Sequence, residues 1–198
     1  MRYEKGHKEQ TRQRIVEAAS ERFRADGIDA VGVVSLMNDV GLTQGGFYNH
    51  FGSKEDLVRE CIAVGSNAAM ERFAIRVAAS ADEPWRALID LYLSTMHRDH
   101  PEHGCMAAAL SGEMGRRPAS TREVFTEGYE EMLDLIGSTL PQDIAAARRR
   151  TLAIAVMSSM VGSMSLARAV ADPALSEDIL ALGRRSSVEL VEAERAAA

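Results

Sequence analysis

The segment His97-Arg-Asp-His-Pro-Glu-His-Gly-Cys105 sets three of the protein's five histidines and one of its two cysteines within nine residues. Imidazole and thiolate are ligands for zinc or copper, and a helix reaching residue 100 would put His97 and His100 on one face. The spacing of His97, His100, His103 and Cys105 matches no established ligand pattern, and Pro101 with Gly104 reads as a solvated loop. Cys105 alone would sense oxidants if a helix N-terminus stabilised its thiolate; a buried structural thiol is the plainer reading. A metal- or redox-responsive site is therefore the alternative to weigh. A metal-dependent hydrolase is more distant, because no general base, nucleophile and oxyanion donor occur together. No enzyme activity, resident metal or cofactor is expected.

A second chemistry is written in Leu36 to Leu57, LMNDVGLTQGGFYNHFGSKEDL. Leu36, Val40, Leu42 and Phe47 are spaced to lock two short helices across a turn at Gly41, which is how a helix-turn-helix is built. Thr43, Gln44, Gly45 and Gly46 open the second helix. Its N–H groups and positive dipole end favour phosphate, Gln44 can reach base edges, and the glycines permit close approach. Thr43 is expected to cap that helix through its hydroxyl. Phe47 and Phe51 read as core; for Tyr48 the competing reading is packing against the first helix.

Residues 11–57 closely resemble the DNA-binding domain of the TetR family (TetR/AcrR) of transcriptional repressors. The resemblance rests on TRQRIVEAASERF, the Gly27 turn, Val-Gly-Leu-Thr43 and above all GGFYNHFGSKEDL, which looks like the family's G-x-L-Y-x-H-F-x-S-K-E-x-L signature with Phe47 in the leucine place. It implies that Thr43, Tyr48, His50 and Lys54 grip phosphates while Gln44, Gly46 and Asn49 face the major groove. The chain departs from the family at Val31-Gly32, where Ser or Thr usually caps the second helix, and at Met37, where a smaller residue is common.

These residues need a scaffold, and the composition supplies an all-α one. Hydrophobic residues make up 46% of 198, and only five are proline. Net charge is −6, but residues 1–53 balance seven Lys/Arg against seven Asp/Glu, and the first 14 hold Arg2, Lys5, Lys8, Arg12 and Arg14 against Glu4 and Glu9. A local basic arm on an acidic protein can still meet phosphates. Two cysteines 44 positions apart suit a reduced interior, and no apolar signal core occurs, so a cytoplasmic location is expected. The uncharged run Thr151–Ala167 is short for a membrane span and interrupted by Ser and Gly.

Periodicity predicts three short helices near 7–26, 33–40 and 44–50, forming a helix-turn-helix domain over 1–53. Six longer helices follow, in a larger ligand-binding and dimerisation domain over 54–198. The first of these opens at the Ser53–Asp56 capping box. On the next, Trp85, Leu88, Ile89, Tyr92, Leu93 and Met96 are expected on one face; a loop then runs from His97 to Gly104. Trp85, Tyr92, Met96, Met106, Phe125, Tyr129 and Met132 are the candidate lining of a pocket for a small, mainly apolar effector. A helix over 143–171, apolar nearly all round and including Met157 and Val161, pairs with the last helix as the expected homodimer surface, and burial within one subunit is the competing reading. The expected partners are double-stranded operator DNA, the effector and a second copy, with no membrane.

Overall fold

A computed structural model describes residues 2–80 and 82–197, with side chains from residue 6 onward; Arg2, Glu4 and Lys5 of the basic arm lie outside the described side chains. The described residues form ten α-helices: α1 (Arg2–Asp26), α2 (Val33–Asp39), α3 (Gln44–Phe47), α4 (Lys54–Ala78), α5 (Pro84–Tyr92), α6 (Thr95–Asp99), α7 (Met106–Met114), α8 (Ala119–Thr139), α9 (Ala146–Ala169) and α10 (Pro173–Ala196). A 3-10 turn at Pro101–His103 precedes α7. The all-α fold, a three-helix N-terminal helix-turn-helix followed by a larger helical region, is as the sequence predicts. Two compact units are present: Met1–Asn67 with Pro101–Gly128, and Ala68–His100 with Tyr129–Ala198.

The first unit is organised by one apolar cluster. Ile15, Ala19 and Phe23 from α1, Leu36 and Met37 from α2, Phe47 from α3, Phe51, and Leu57, Val58, Cys61 and Ile62 from α4 are all buried in it, with Met106, Leu110 and Met114 from α7. Met37, larger than the family's usual residue, is fully buried there. Gly27 at φ +84° ends α1 and Gly41 at φ +73° turns α2 into α3; both lie in the left-handed region that favours glycine. Polar pins fix the helices around the core. Arg22 pairs with Asp39, Arg12 pairs with Glu60, and Arg14 donates to the Val40 carbonyl at 3.1 Å. The Ser53 hydroxyl accepts from the Asp56 N–H at 3.1 Å, and its bond to the Asp56 carboxyl helps hold that group below the usual carboxylate range, the two halves of the capping box.

Two expectations near the helix-turn-helix are corrected. The third helix is one turn, Gln44–Phe47, and residues 48–50 form a turn instead. Thr43 occupies its N-cap in extended backbone, yet its hydroxyl makes no capping bond. The cap of α2 is Gly32, as the Val31-Gly32 departure from the family implies.

In the second unit the face predicted from Trp85 to Met96 breaks. α5 ends at Tyr92, Ser94 starts a separate helix by accepting the His97 N–H at 3.2 Å, and Met96 on α6 is 67% exposed. The His97–Gly104 loop is thus half helix. On α9, Leu152, Val156, Met157, Met160 and Met164 are buried, so Met157 is core of its own subunit and not a dimer contact. α9 is long and apolar enough to cross a membrane by composition, but that row of residues is spent on packing within the unit. α9 and α10 meet at Gly183, where a Cβ would stand 2.6 Å from Ser163 Cβ.

Candidate nucleic-acid interface

The buried side chains of α3 and its exit turn hold the remaining ones outward. Phe47 and Phe51 are buried, with ring centroids 5.3 Å apart. Phe47 thereby commits one side of a four-residue helix to the core, and Thr43, Gln44, Gly45, Tyr48 and Asn49 are left exposed. Tyr48 points largely to solvent. It stands 65% exposed, edge-on to Phe47 at 5.3 Å and 89°.

The two glycines have no role within the subunit. Neither Gly45 nor Gly46 has positive φ. A Cβ at Gly45 would meet nothing within 4 Å, and one at Gly46 would make only ordinary contacts, 3.7 Å to Met37 Cε and 3.8 Å to Thr43 Oγ1. Glycine weakens a helix, so its presence here is unexplained by the fold of this chain.

His50 and Lys54 are differently placed. His50 is half-buried, and its Nδ1 is buried with no hydrogen-bond partner among the described residues. Burial, then the charges of Lys8 and Arg12, hold its pKa below the ordinary histidine value. Lys54 Nζ donates to the Ile28 carbonyl at 2.5 Å and lies 5.9 Å from the Phe23 ring centroid. One donor of its ammonium is thus used inside the subunit.

The sequence of α1 to α4 and the geometry now coincide with a known pattern. The family model described as "Bacterial regulatory proteins, tetR family" matches residues 15–61, and "Tetracyclin repressor-like, C-terminal domain" matches residues 84–182. This chain belongs to the TetR family. Solved structures agree on the fold. A TetR-family transcriptional regulator from Cytophaga hutchinsonii superposes with a TM-score of 0.76 at 18% identity, covering 94% of this chain and 96% of that one. A TetR-family regulator from Agrobacterium tumefaciens gives 0.72 at 19%, covering 90% and 98%. FadR from Bacillus subtilis, in complex with stearoyl-CoA, gives 0.66 at 16%, covering 90% and 97%. No curated protein matches the sequence.

The candidate effector residues belong to both units. Trp85, Tyr92 and Met132 are buried and Tyr129 half-buried in the second unit, where Met96 is exposed; Met106 and half-buried Phe125 belong to the core of the first. Arg86 stacks over the Trp85 ring at 4.7 Å. A groove of about 610 Å3 lies instead between α9 and α10, lined by Arg148, Thr151, Leu152, Ser186, Leu190 and Glu194 among others, and none of the seven candidates lines it.

The histidine loop does not assemble a metal site. Among the described residues no three His, Cys, Asp or Glu side chains gather as a ligand set. His97 turns inward, its Nδ1 2.6 Å from the Tyr92 carbonyl, with the Tyr92 ring edge-on at 4.7 Å. His103 is exposed, 3.9 Å from Glu21 and from Glu102. Cys105 is buried at the N-cap of α7, and Cys61 is buried with its thiol pushed up by burial and its Sγ 3.5 Å from the Val16 carbonyl.

His97 carries a pH consequence. Burial, aided by the charges of Arg168 and Arg72 and opposed by the bond to Tyr92, pushes its pKa down to about 4. The unfolded chain, with a histidine near 6.5, binds the proton first as pH falls. Stability from neutral His97 is therefore full above pH 6.5 and is lost progressively toward pH 4, by about 3 kcal/mol. Urea unfolding should show the wild type losing about that much more than His97→Gln between pH 7 and pH 4; equal losses would refute the assignment.

Proposed function

We propose that this TetR-family protein is a ligand-responsive repressor that binds a palindromic double-stranded operator as a homodimer and releases it on binding a small, mainly apolar effector. The division of labour falls near residue 53, with DNA binding over 1–53 and effector binding and dimerisation over 54–198. The observation that carries the DNA reading is the bare backbone of Gly45–Gly46 beside exposed Gln44, Tyr48 and Asn49. Two glycines that the subunit does not need suit a helix pressed against another molecule's surface. Gln44, Gly46 and Asn49 face the base edges, and Thr43, whose hydroxyl is not used for capping, joins Tyr48 and His50 on phosphates. Lys54 contributes by holding the start of α4 to the α1–α2 turn.

Two-fold symmetry is required to match two half-sites about 34 Å apart. The surface favoured for pairing is the outer side of α9 and α10, where Ile154, Leu166, Leu175, Leu182 and Leu190 are all exposed. For the effector, the aromatic and methionine side chains Trp85, Tyr92, Tyr129 and Met132 of the second unit favour an apolar ligand. The acyl chain of the stearoyl-CoA bound by the FadR relative is of that kind.

Four measurements test these parts separately. Gly45→Ala should leave the melting temperature unchanged or raise it, since alanine favours helix by up to about 1 kcal/mol, yet weaken operator binding. Tyr48→Ala should weaken all DNA binding, while Gln44→Ala relaxes choice at one position per half-site; variants that bind like wild type in gel shifts would sink the DNA reading. Leu182→Arg should convert a dimer to a monomer in light scattering without unfolding it, because this side chain is not core; a wild type already monomeric at micromolar concentration would remove the proposed interface. Long-chain acyl compounds should shift the emission of Trp85, the only tryptophan, and weaken operator binding reciprocally. A panel of such ligands that moves neither signal would rule out the apolar effector.

A further inference from the structure

Where α1 gives way to α2, one residue is gripped through both of its peptide groups. The Ile28 N–H donates to Glu113 Oε1 on α7 at 3.2 Å, and its carbonyl accepts from Lys54 Nζ on α4 at 2.5 Å. The Ile28 side chain is fully buried. A Cβ at Gly27 beside it would stand 2.8 Å from Glu113 Oε1, so a side chain there would push that carboxylate aside.

Glu113 is itself held in a charged network. Arg117 pairs with it at 3.0 Å, reaches Glu55 at 3.6 Å and bonds Asp29 in the α1–α2 turn. Glu55 accepts the Thr121 hydroxyl of α8 at 2.6 Å. Burial works against the Arg117 charge, but its bonds to Asp29 and Glu113 outweigh it and hold the guanidinium firmly protonated. Burial likewise draws the Lys54 ammonium below its ordinary value, against the pull of Asp29, Glu113 and Glu55. The turn that opens the helix-turn-helix is thus tied to groups about 85 positions away, within the segment matched by the C-terminal family model.

We propose that Glu113 is a positioning residue for operator binding, fixing from α7 the direction in which the chain leaves α1 and hence the placement of α2 and α3. The proposal rests on the DNA-binding reading above. An N–H deprived of its acceptor in this half-buried turn must find another, and the backbone moves to do so. A small displacement of α3 spoils its register with base edges, which carry specificity, but leaves the charge attraction to phosphates intact. Selective and non-selective binding should therefore separate.

The test uses the full-length protein, a DNA fragment selected from random sequence by the wild type, and a scrambled fragment of equal length. Glu113→Ala should raise the exchange rate of the Ile28 amide at least tenfold and lower affinity for the selected fragment about tenfold or more, with affinity for the scrambled one within twofold. Glu113→Gln keeps an acceptor for Ile28 and should restore most of the selective binding. If Glu113→Ala fails to fold, Arg117→Gln decides: it removes the partner that aims Glu113 and should lower selective binding at least threefold, again sparing the scrambled fragment. Selective binding within twofold of wild type in the folded variants would overturn the proposal, even with faster exchange at Ile28. A wild type that selects no DNA would sink the DNA reading and this role with it.

Discussion

A helix of four residues cannot sustain itself in water, because nucleation fixes several residues for the first hydrogen bond and four residues offer almost no propagation to repay it. Two of the four in α3 are glycine, which worsens the balance. Its existence therefore depends on burial of Phe47, against a cluster that also contains Phe51, Leu36, Met37 and Phe23. Everything exposed on α3 and its exit turn is exposed because Phe47 faces inward. The surface proposed to face DNA is in this sense the outer side of a core contact, and its precision is inherited from α1, α2 and α4.

That inheritance is enforced by polar bonds at the edges of the core. Arg22 with Asp39 and Arg14 with the Val40 carbonyl fasten α2 to α1, while Arg12 with Glu60 fastens α4. Individually such half-exposed pairs contribute little to stability. Their directional geometry restricts how the helices rotate about an apolar centre that is itself non-directional. The grip on Ile28 from α4 and α7 extends the same logic to the turn between helices, where no periodic core contact can act.

The second unit solves a different problem, packing two long helices of modest apolar contrast. α9 and α10 approach closely because Gly183 faces Ser163, a seam of small residues that larger side chains would force open. With one side of α9 committed to this packing, the apolar residues left over, Ile154 and Leu166, stand outside alongside Leu175, Leu182 and Leu190 of α10. An apolar surface of this kind is the physical basis for expecting a second copy of the chain.

The sequence by itself determined what depends on local pattern. The all-helical build, the stops at Gly27 and Gly41, the Ser53 capping box and the core identity of Phe47 and Phe51 all follow from neighbours within a few positions, as does the signature that identifies the family. Tertiary structure decided what depends on partners far along the chain. Periodicity placed Met96 on the face of Trp85, but the break at Ser94, fixed by its bond to the His97 N–H, turned it outward. It placed Met157 on an apolar helix without saying which of that helix's sides the subunit itself would bury. Thr43 had the right chemistry for a cap, yet its hydroxyl makes no capping bond, and the Ile28 carbonyl engaged one donor of the Lys54 ammonium. Glu113 carried no signal at all, because a carboxylate 85 residues from the amide it holds has no spacing to read. Local hydrogen bonds and periodicity are properties of a segment; which face is buried, and which charge meets which backbone group, exist only once distant segments pack.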